Sequence, residues 1–323
     1  MSEPANNRMP ISNVPKSLHR FAVATASCTV LLLMAGALVT SNDAADSVPD
    51  WPLAYGKIIP PMVGGIRYEF THRVMAGTVA ILTAILAIWL ARKGSRFLRN
   101  LGWTALGLVI AQAILGGLRV LFHDPALTAT IHAILAQIFF VTVVSLALFT
   151  SAWWNSGLTE LDDPGSPSVR NLALITTAAI FVQLILGAGF RHGAFGILPH
   201  MIGAAVVLFL VIWTGRTVRK RFGSVRDLRR WGVLLQAFLG TQILLGIAAY
   251  WAVVQEITSA QPTLTYVVLT VAHVLVGALT LAASVLLTLA SVRLIRGDAA
   301  ATAAADATDT QPIANSSAES SRA

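Results

Sequence analysis

Eight long apolar stretches divide this chain of 323 residues. Each is close to the roughly 20 residues that an α-helix needs to cross the hydrocarbon core of a bilayer. The stretches without a central charge are 21–40, 74–91, 101–118, 126–153, 172–190, 194–214, 231–254 and 263–292. Hydrophobic residues make up 55% of the chain and charged residues 12%, which is far more apolar than a soluble domain. The sequence therefore predicts an all-α integral membrane protein with eight transmembrane helices.

The formal net charge of +8 is distributed unevenly between the two ends of these spans. All but five of the 23 basic residues fall on the side of the termini and of the even-to-odd connections. The five on the other side are Lys57, Arg67, Arg73, Arg119 and Arg191. Because loops rich in Lys and Arg stay in the cytoplasm, we expect a multi-pass protein of the inner membrane with both termini cytoplasmic. The same distribution argues against nucleic acid as the partner of the basic residues.

The two chain ends and the single cysteine add three expectations. A cleaved signal peptide is the alternative interpretation of the first span, but its apolar core would usually be shorter than 21–40, so we expect the span to stay. Residues 297–323 lack large apolar residues and predict a disordered cytoplasmic tail. Cys28 has no second cysteine to pair with, so an intramolecular disulfide is impossible.

Four histidines fall near the same end of the even-numbered spans: His72, His132, His200 and His273. Ionisable residues inside a membrane are costly and are functional candidates by default. Two imidazoles on different helices of one bundle, at matching depth, can bind a haem iron from opposite faces. Hydrogen bonding between helices is the alternative for each histidine. The pattern predicts two metal or haem sites, His72 with His132 and His200 with His273.

An internal repeat supports a division into halves. The motif Gln-x-x-Leu-Gly occurs at 112–116, 183–187 and 242–246, near the end of an odd-numbered span each time. Four crossings restore the orientation of the chain, so the halves are expected to be parallel copies related by an axis along the membrane normal. Two four-helix bundles are the simplest architecture. The predicted segments are a cytoplasmic N-terminal segment at 1–20, an N-terminal half at 21–154, a cytoplasmic linker at 155–171, a C-terminal half at 172–296 and the tail at 297–323.

Small residues near the histidines are expected to allow close approach of a flat ring or of another helix. These residues are Gly116, Gly117, Gly187 and Gly189. Ordinary helix packing is the alternative, and it is the more common role of glycine in membrane helices.

Glu69 distinguishes the two halves. It precedes His72 by three residues, whereas the same place before His200 holds Ile197. A carboxylate beside a haem can accept a proton, orient water or stabilise a developing cation. The alternative is an ion pair with Arg73 or Arg67, or a carboxylate favoured by the helix dipole. The difference predicts that the N-terminal half carries the chemistry.

Three arginines lie near the histidines: Arg73, Arg119 and Arg191. A guanidinium can bind a carboxylate through two parallel hydrogen bonds, so these residues are candidates for binding haem propionates. Snorkelling to lipid headgroups is the alternative. His123 and His192 lie in short outer loops and are expected to be surface residues.

Several segments together resemble a known family. The segments are 49–56 (Pro-Asp-Trp-Pro-Leu-Ala-Tyr-Gly), 59–61 (Ile-Pro-Pro) and 69–73 (Glu-Phe-Thr-His-Arg). They are similar to the first outer loop and second helix of the haem A synthase family of cytochrome oxidase assembly proteins. With the eight spans and the histidine positions, the resemblance covers about 21–296.

The resemblance implies an enzyme that oxidises a ring methyl group of haem O to the formyl group of haem A by successive hydroxylations. It implies that the N-terminal half binds this substrate, with His72 and His132 at the iron and Glu69 required for the chemistry. It implies a haem b in the C-terminal half, with His200 and His273 as ligands and electron relay as its role. The implied partners are haem O, the haem O synthase, assembly factors of cytochrome oxidase and membrane lipid.

One departure from the family pattern concerns cysteine. Many bacterial relatives carry a cysteine pair where this chain has Val48 and Ala54, and some carry another pair where this chain has the cysteine-free stretch 191–199. A mechanism that uses those thiols cannot operate in this chain, which is a cysteine-free variant at these loop positions. Two other functions stay open: a bis-histidine, two-haem electron-transfer protein of the cytochrome b type, which has no special use for Glu69, and a transporter or assembly scaffold with unligated histidines.

Overall fold

The computed structural model describes residues 14–122, 126–163, 165–257 and 259–296. Its helices are α1 (Lys16–Ser41), α2 (Ile66–Lys93), α3 (Arg96–Phe122), α4 (Ala126–Phe149), α5 (Val169–Arg191), α6 (Ile197–Phe222), α7 (Arg226–Glu256) and α8 (Leu264–Leu294). Within these described ranges, eight helices are long and apolar enough to cross a membrane. The predicted all-α fold with eight spans is therefore confirmed. His123, the predicted tail and residues 1–13 of the predicted N-terminal segment lie outside the described residues.

The helix ends differ from the predicted spans where polar contacts or charges intervene. Helix α4 ends at Phe149 and not at Trp153, because a turn follows in which the Trp154 ring packs 4.6 Å from the Phe149 ring. The indole N–H of Trp153 donates a hydrogen bond to Asp227 at 2.8 Å. Helix α2 begins at Ile66, well before the apolar stretch at 74–91, because a helix can carry charged side chains at its ends, where they reach water.

The helices pack as two rings of four. In the first ring, α1, α2, α3 and α4 each contact the next, and α1 contacts α4; the second ring repeats this with α5, α6, α7 and α8. Each ring has its own apolar core: buried Leu86, Val143 and Leu146 lie in the first, and Val211, Leu235 and Leu287 in the second. The relation of the halves by an axis along the membrane normal stays a prediction, as do the domain boundaries.

The two rings meet through α1 and α4 on one side and α5 and α8 on the other. Two small apolar clusters fill this junction. One joins Ala37 of α1 to Val267 and Val271 of α8, and the other joins Phe140 of α4 to Ala278 and Ala282 of α8. The small side chains on α8 let its backbone approach the first ring closely. This packing explains why α8 is more buried than the other seven described spans.

The four histidines lie at one end of this array, where odd-numbered helices end and even-numbered helices begin. We call it the histidine end, and it also carries the α1–α2 loop at 42–65, here called loop 1. At the opposite end, the segment between the rings is fixed to α8. The backbone N–H of Leu161 donates to the carbonyl oxygen of Leu294 at 2.8 Å, and the N–H of Arg296 donates to that of Leu161 at 2.9 Å.

Candidate functional site

Each of the four histidines lies against a glycine of the preceding helix. A methyl group added at the glycine would lie 3.1 Å from Cε1 of His72, 3.5 Å from that of His132, 2.8 Å from that of His200 and 3.0 Å from that of His273. The glycines are Gly36, Gly116, Gly187 and Gly246, in the same order. One helix hairpin therefore occurs four times, with a backbone surface at the end of the odd helix that accommodates the imidazole of the even helix.

The structure shows which side chain lies against each glycine that the sequence singled out. Gly116 and Gly187 lie against histidines, whereas a methyl group at Gly117 would lie 2.7 Å from the Trp51 ring and one at Gly189 would overlap the ring of Phe195. Two of the four predicted glycines thus provide room for an imidazole and two for an aromatic ring. Gly36 was missed, because the first span has Leu32 where the repeated motif has glutamine; the preserved Gly could have revealed it.

Three of the four histidines have a buried ring nitrogen without a hydrogen-bond partner among the described residues. The atoms are Nδ1 of His72, Nδ1 of His132 and Nδ1 of His273. Leaving such a group without a hydrogen bond costs roughly 1–3 kcal/mol, so each is a site where a ligand would compensate. His72 and His132 also lie close enough to interact electrostatically. These features fit a pair of imidazoles that binds an iron.

In the C-terminal half the two imidazole rings face each other at a defined distance and angle. The ring centres of His200 and His273 are 6.3 Å apart, with the ring planes at 80°. Two imidazoles on opposite sides of one iron would have centres roughly 6 Å apart, because each nitrogen lies about 2 Å from the metal and about 1 Å from its own ring centre. The residues present therefore fit a haem with two histidine ligands.

Two glutamines of the repeated motif contact these histidines. The amide nitrogen of Gln183 lies 3.0 Å from Nδ1 of His200 and donates to the carbonyl oxygen of the same residue at 2.8 Å. The amide nitrogen of Gln242 lies 3.2 Å from Nε2 of His273. The amide oxygens of Gln112, Gln183 and Gln242 are all buried without a partner among the described residues.

Glu69 is buried beside His72 and uses both carboxylate oxygens. Its side chain is 4% exposed. Arg73 donates to Oε1 at 2.6 Å, and the backbone N–H of Val48 donates to Oε2 at 2.9 Å. The ion pair with Arg73 that the sequence left open is therefore present, while Arg67 donates to the hydroxyl of Tyr68 at 3.0 Å. The carboxylate is held in one orientation at the start of α2.

Loop 1 is fixed to the start of α2 by Arg73. The guanidinium donates to the carbonyl oxygens of Val48 at 3.1 Å, Asp50 at 2.7 Å and Leu53 at 3.0 Å, as well as to Glu69. Loop 1 also has a turn of its own. The carboxylate of Asp50 accepts the backbone N–H groups of Gly56 at 2.7 Å and Tyr55 at 2.6 Å, and the hydrogen bond from Gly56 is the main reason that the pKa of Asp50 lies below its ordinary value.

The other two arginines join the loops and helices of the histidine end. Arg119 donates to the carbonyl oxygen of Ala45 at 3.2 Å and lies 3.9 Å from the carboxylate of Asp46. Arg191 belongs to α5 but donates to Ser41 at 2.8 Å and to the carbonyl oxygen of Ala37 at 3.2 Å, both on α1. Arg191 therefore connects the two rings.

His192 departs from the expectation of a solvated loop residue. It follows α5 and is only partly exposed. Burial lowers the pKa of its imidazole to about 4, and the positive charges of Arg191 and Arg119 act in the same direction. The electrostatic influence of Arg119 and His132 on His192 shows that this loop of the second ring reaches the histidine pair of the first.

The chain is similar to proteins of one family. Residues 66–198, which include Glu69 and two of the four histidines, match the COX15-CtaA family model, described as cytochrome oxidase assembly protein. A heme A synthase of Symbiobacterium thermophilum is 25% identical over 263 residues, which span 72% of this chain and 85% of that protein. One of Lysinibacillus sphaericus is 33% identical over 209 residues, 64% of this chain and 59% of that protein. One of Shouchella clausii is 33% identical over 183 residues, 55% of this chain and 60% of that protein.

The family match begins at the first residue of α2 and ends in the first turn of α6. It therefore contains the buried Glu69 with its histidine pair and the connection to the second ring. The matches to the last two relatives span about three fifths of each relative's length. On these findings the chain is similar to the COX15-CtaA family of cytochrome oxidase assembly proteins over residues 66–198.

Proposed function

We propose that this protein is a haem A synthase, a membrane oxidoreductase that converts the methyl group of haem O to a formyl group for cytochrome oxidase biogenesis. Similarity to this family and the function named for the relatives support this activity. The observation that carries it is the buried Glu69, which lies one helical turn from His72. The positions three residues before the other histidines hold Ala129, Ile197 and Thr270, so one of four repeated histidine positions has a carboxylate.

We assign the substrate haem to the N-terminal half. His72 and His132 would hold the iron of haem O and so fix the substrate ring in the site. Glu69 would act on the reacting edge of the ring by accepting a proton or orienting water. Arg73 and the N–H of Val48 fix the carboxylate, and a fixed acceptor does not have to reorganise during the reaction. Loop 1, with Trp51 packed against Gly117, would exclude water from the site.

A haem b in the C-terminal half is the proposed resident cofactor. His200 and His273 would be its ligands, and electron relay to the first half would be its role. The separation of 6.3 Å between the ring centres supports this assignment. This half has no counterpart of Glu69, since Ile197 and Thr270 occupy the equivalent positions, as expected for a site that transfers electrons without modifying its haem.

The arginines and the orientation complete the proposal. Arg119 and Arg191 are proposed to bind haem propionates. For Arg73, the bonds to Glu69 and to three loop carbonyl groups favour a positioning role over the propionate binding expected from the sequence. The distribution of basic residues supports an inner-membrane protein with both termini in the cytoplasm. The haem O synthase and assembly factors of cytochrome oxidase are proposed as partners.

The test is the haem composition of a Glu69→Gln variant. Glutamine keeps the size of the side chain and an acceptor for the N–H of Val48, but it removes the negative charge. We expect the variant to bind both haems and to accumulate haem O in place of haem A, as identified by mass after extraction. Arg67→Gln is the matched control, because Arg67 lies two residues before Glu69 on α2 and its described side-chain hydrogen bond goes to Tyr68.

The same experiment separates this function from the two-haem electron-transfer alternative. An electron-transfer protein needs the four histidines but not the carboxylate. If Glu69→Gln binds both haems and still produces haem A at the wild-type rate, Glu69 has no catalytic role. Purified wild-type protein without a Soret band would contradict haem binding altogether and would favour a scaffold or a transporter.

A further inference from the structure

Loop 1 carries an apolar segment whose side chains face away from the protein. The exposed fractions of Ile58, Ile59 and Val63 are 82%, 71% and 63%. We call residues 58–63 the apolar tip. A contiguous set of exposed apolar side chains outside the helices is rare in a stable protein and marks an interaction surface.

The chain on both sides of the apolar tip is fixed, so the tip keeps its outward orientation. Before the tip, Ala54 and Lys57 exchange two backbone hydrogen bonds, at 3.1 and 3.0 Å. Within the tip, Pro60 is buried. After it, a methyl group at Gly65 would overlap the hydroxyl of Ser47, so the chain returns to α2 in close contact with the body of loop 1.

The residues next to the apolar tip are of the types that membrane proteins place at the level of lipid headgroups. Lys57 directly precedes the tip, is exposed and forms no ion pair with a carboxylate among the described residues. Trp51 and Tyr55 are also exposed. Tryptophan and tyrosine are enriched at membrane interfaces, and cations beside apolar side chains favour binding to anionic lipid.

The start of α2 places the apolar tip level with the lipid-facing surface of the spans. Ile66 precedes His72 by six residues, about 9 Å along a helix. Leu264 precedes His273 by nine residues, about 14 Å, and is an exposed apolar residue of α8. When the histidines are taken as one level, the apolar surface of the spans extends past the start of α2. The tip, which leads into α2, continues that surface.

We infer that the apolar tip inserts into the lipid leaflet at the histidine end and anchors loop 1 to the membrane. The exposed apolar side chains lie among the acyl chains next to the headgroups, and Lys57 lies at the phosphates. Lipid fits this surface better than a partner protein because the tip continues a lipid-facing surface and has a cation beside it. The anchor goes beyond the proposed function. It would hold loop 1 beside the lipid from which a haem with an isoprenoid tail reaches α2.

The test measures whether the apolar tip lies in lipid. In a Cys28→Ser background, Ile59→Cys and Val63→Cys carry a nitroxide spin label, and the full chain is reconstituted into vesicles of phosphatidylcholine and phosphatidylglycerol. We expect both labels to collide severalfold more with oxygen, which concentrates in lipid, than with a water-soluble nickel chelate. Gln261→Cys is the matched control, because it is exposed in the α7–α8 connection at the same end, and it should show the reverse preference.

A second variant keeps loop 1 but removes the apolar side chains. Ile58→Ser, Ile59→Ser and Met62→Ser are combined with the label at Val63→Cys, which should then become accessible to the nickel chelate. Ile257→Ser is the control, since Ile257 is 80% exposed in the α7–α8 connection and should leave the label at Val63→Cys in lipid. Unchanged helix content by circular dichroism shows that the fold is kept.

The outcomes separate the anchor from the proposed function. Tip labels as accessible to nickel as the label at Gln261→Cys would overturn the inference, and the exposed patch would then favour a partner protein. An unchanged label in the triple serine variant would also overturn it, because the apolar side chains would not be what holds the tip in lipid. Neither result changes the haem composition of Glu69→Gln, which tests the haem A synthase assignment by itself.

Discussion

Glu69 and Arg73 form a largely buried ion pair in which each residue has a different role. Removing one partner of a buried ion pair is costly because the other charge is left uncompensated. Arg73 also holds three carbonyl groups of loop 1, so the arginine connects the position of the carboxylate to the folding of loop 1. This arrangement gives Glu69 a fixed orientation without a disulfide in loop 1, where Val48 and Ala54 are simply buried apolar residues.

The sequence predicted the proximity of Glu69 and His72 because three residues span almost one helical turn. It could not choose between Arg73 and Arg67 as the partner of the carboxylate. Both lie close to Glu69 along the chain, and the choice depends on where loop 1 places its carbonyl groups. That placement is a long-range property of the fold.

His192 gives a pH dependence that can be measured. Its pKa is lowered to about 4 in the folded protein, whereas in the unfolded chain it stays near its ordinary value of 6.5. Below pH 6.5 the unfolded chain therefore binds a proton that the folded protein binds only near pH 4, so stability falls as the pH decreases through this range. We expect the unfolding temperature of His192→Gln to fall less steeply than that of wild type between pH 7 and pH 4. Parallel curves would contradict the burial of the neutral imidazole.

The helix hairpin with a glycine opposite a histidine is the structural unit of both halves. The hydropathy of each span predicted the helices, and the shared depth of the histidines predicted that they lie together. The sequence placed glycines near the histidines, but it could not show which ring each one contacts, because the contact joins residues on different helices, such as Gly36 and His72 across loop 1.

Adding one methyl group to this hairpin tests its importance. Gly187→Ala would place a Cβ 2.8 Å from Cε1 of His200, so the imidazole has to shift from its present position. We expect haem to be lost from the C-terminal half, measured as haem per chain by the pyridine haemochrome method. Gly77→Ala is the control, because a methyl group there meets nothing within 4 Å, and alanine favours a helix interior by about 1 kcal/mol over glycine. Full haem content in Gly187→Ala would contradict this expectation and show that the His200 imidazole can shift without loss of the haem.

The junction between the rings joins the two halves that carry the histidine pairs. Arg191 reaches from α5 to α1, and Ser41 of α1 contacts Thr270 of α8 at 2.8 Å between their hydroxyl oxygens. The two rings are thus joined by polar contacts at the histidine end and by apolar contacts deeper in the array. They place the loops of both halves over a common surface, where His192 of one half approaches Arg119 of the other.

The orientation of the whole array can be tested by labelling in intact spheroplasts. In a Cys28→Ser background, a membrane-impermeant thiol reagent should label Lys57→Cys in loop 1 and should not label Ser224→Cys between α6 and α7. Both positions are exposed, and the positive-inside rule puts the histidine end outside. Labelling of Ser224→Cys alone would reverse the orientation, while lysed cells should label both and serve as the control.

Hydropathy and spacing by themselves determined the eight helices, the common depth of the four histidines and the presence of a carboxylate in one half, because these are local properties of each span. The tertiary structure decided which groups meet: the glycine behind each imidazole, the glutamines that contact only His200 and His273, and loop 1 with its hold on Glu69 through Arg73 and Val48. Such contacts join residues far apart in the chain. They follow from how the helices pack, which no single span encodes.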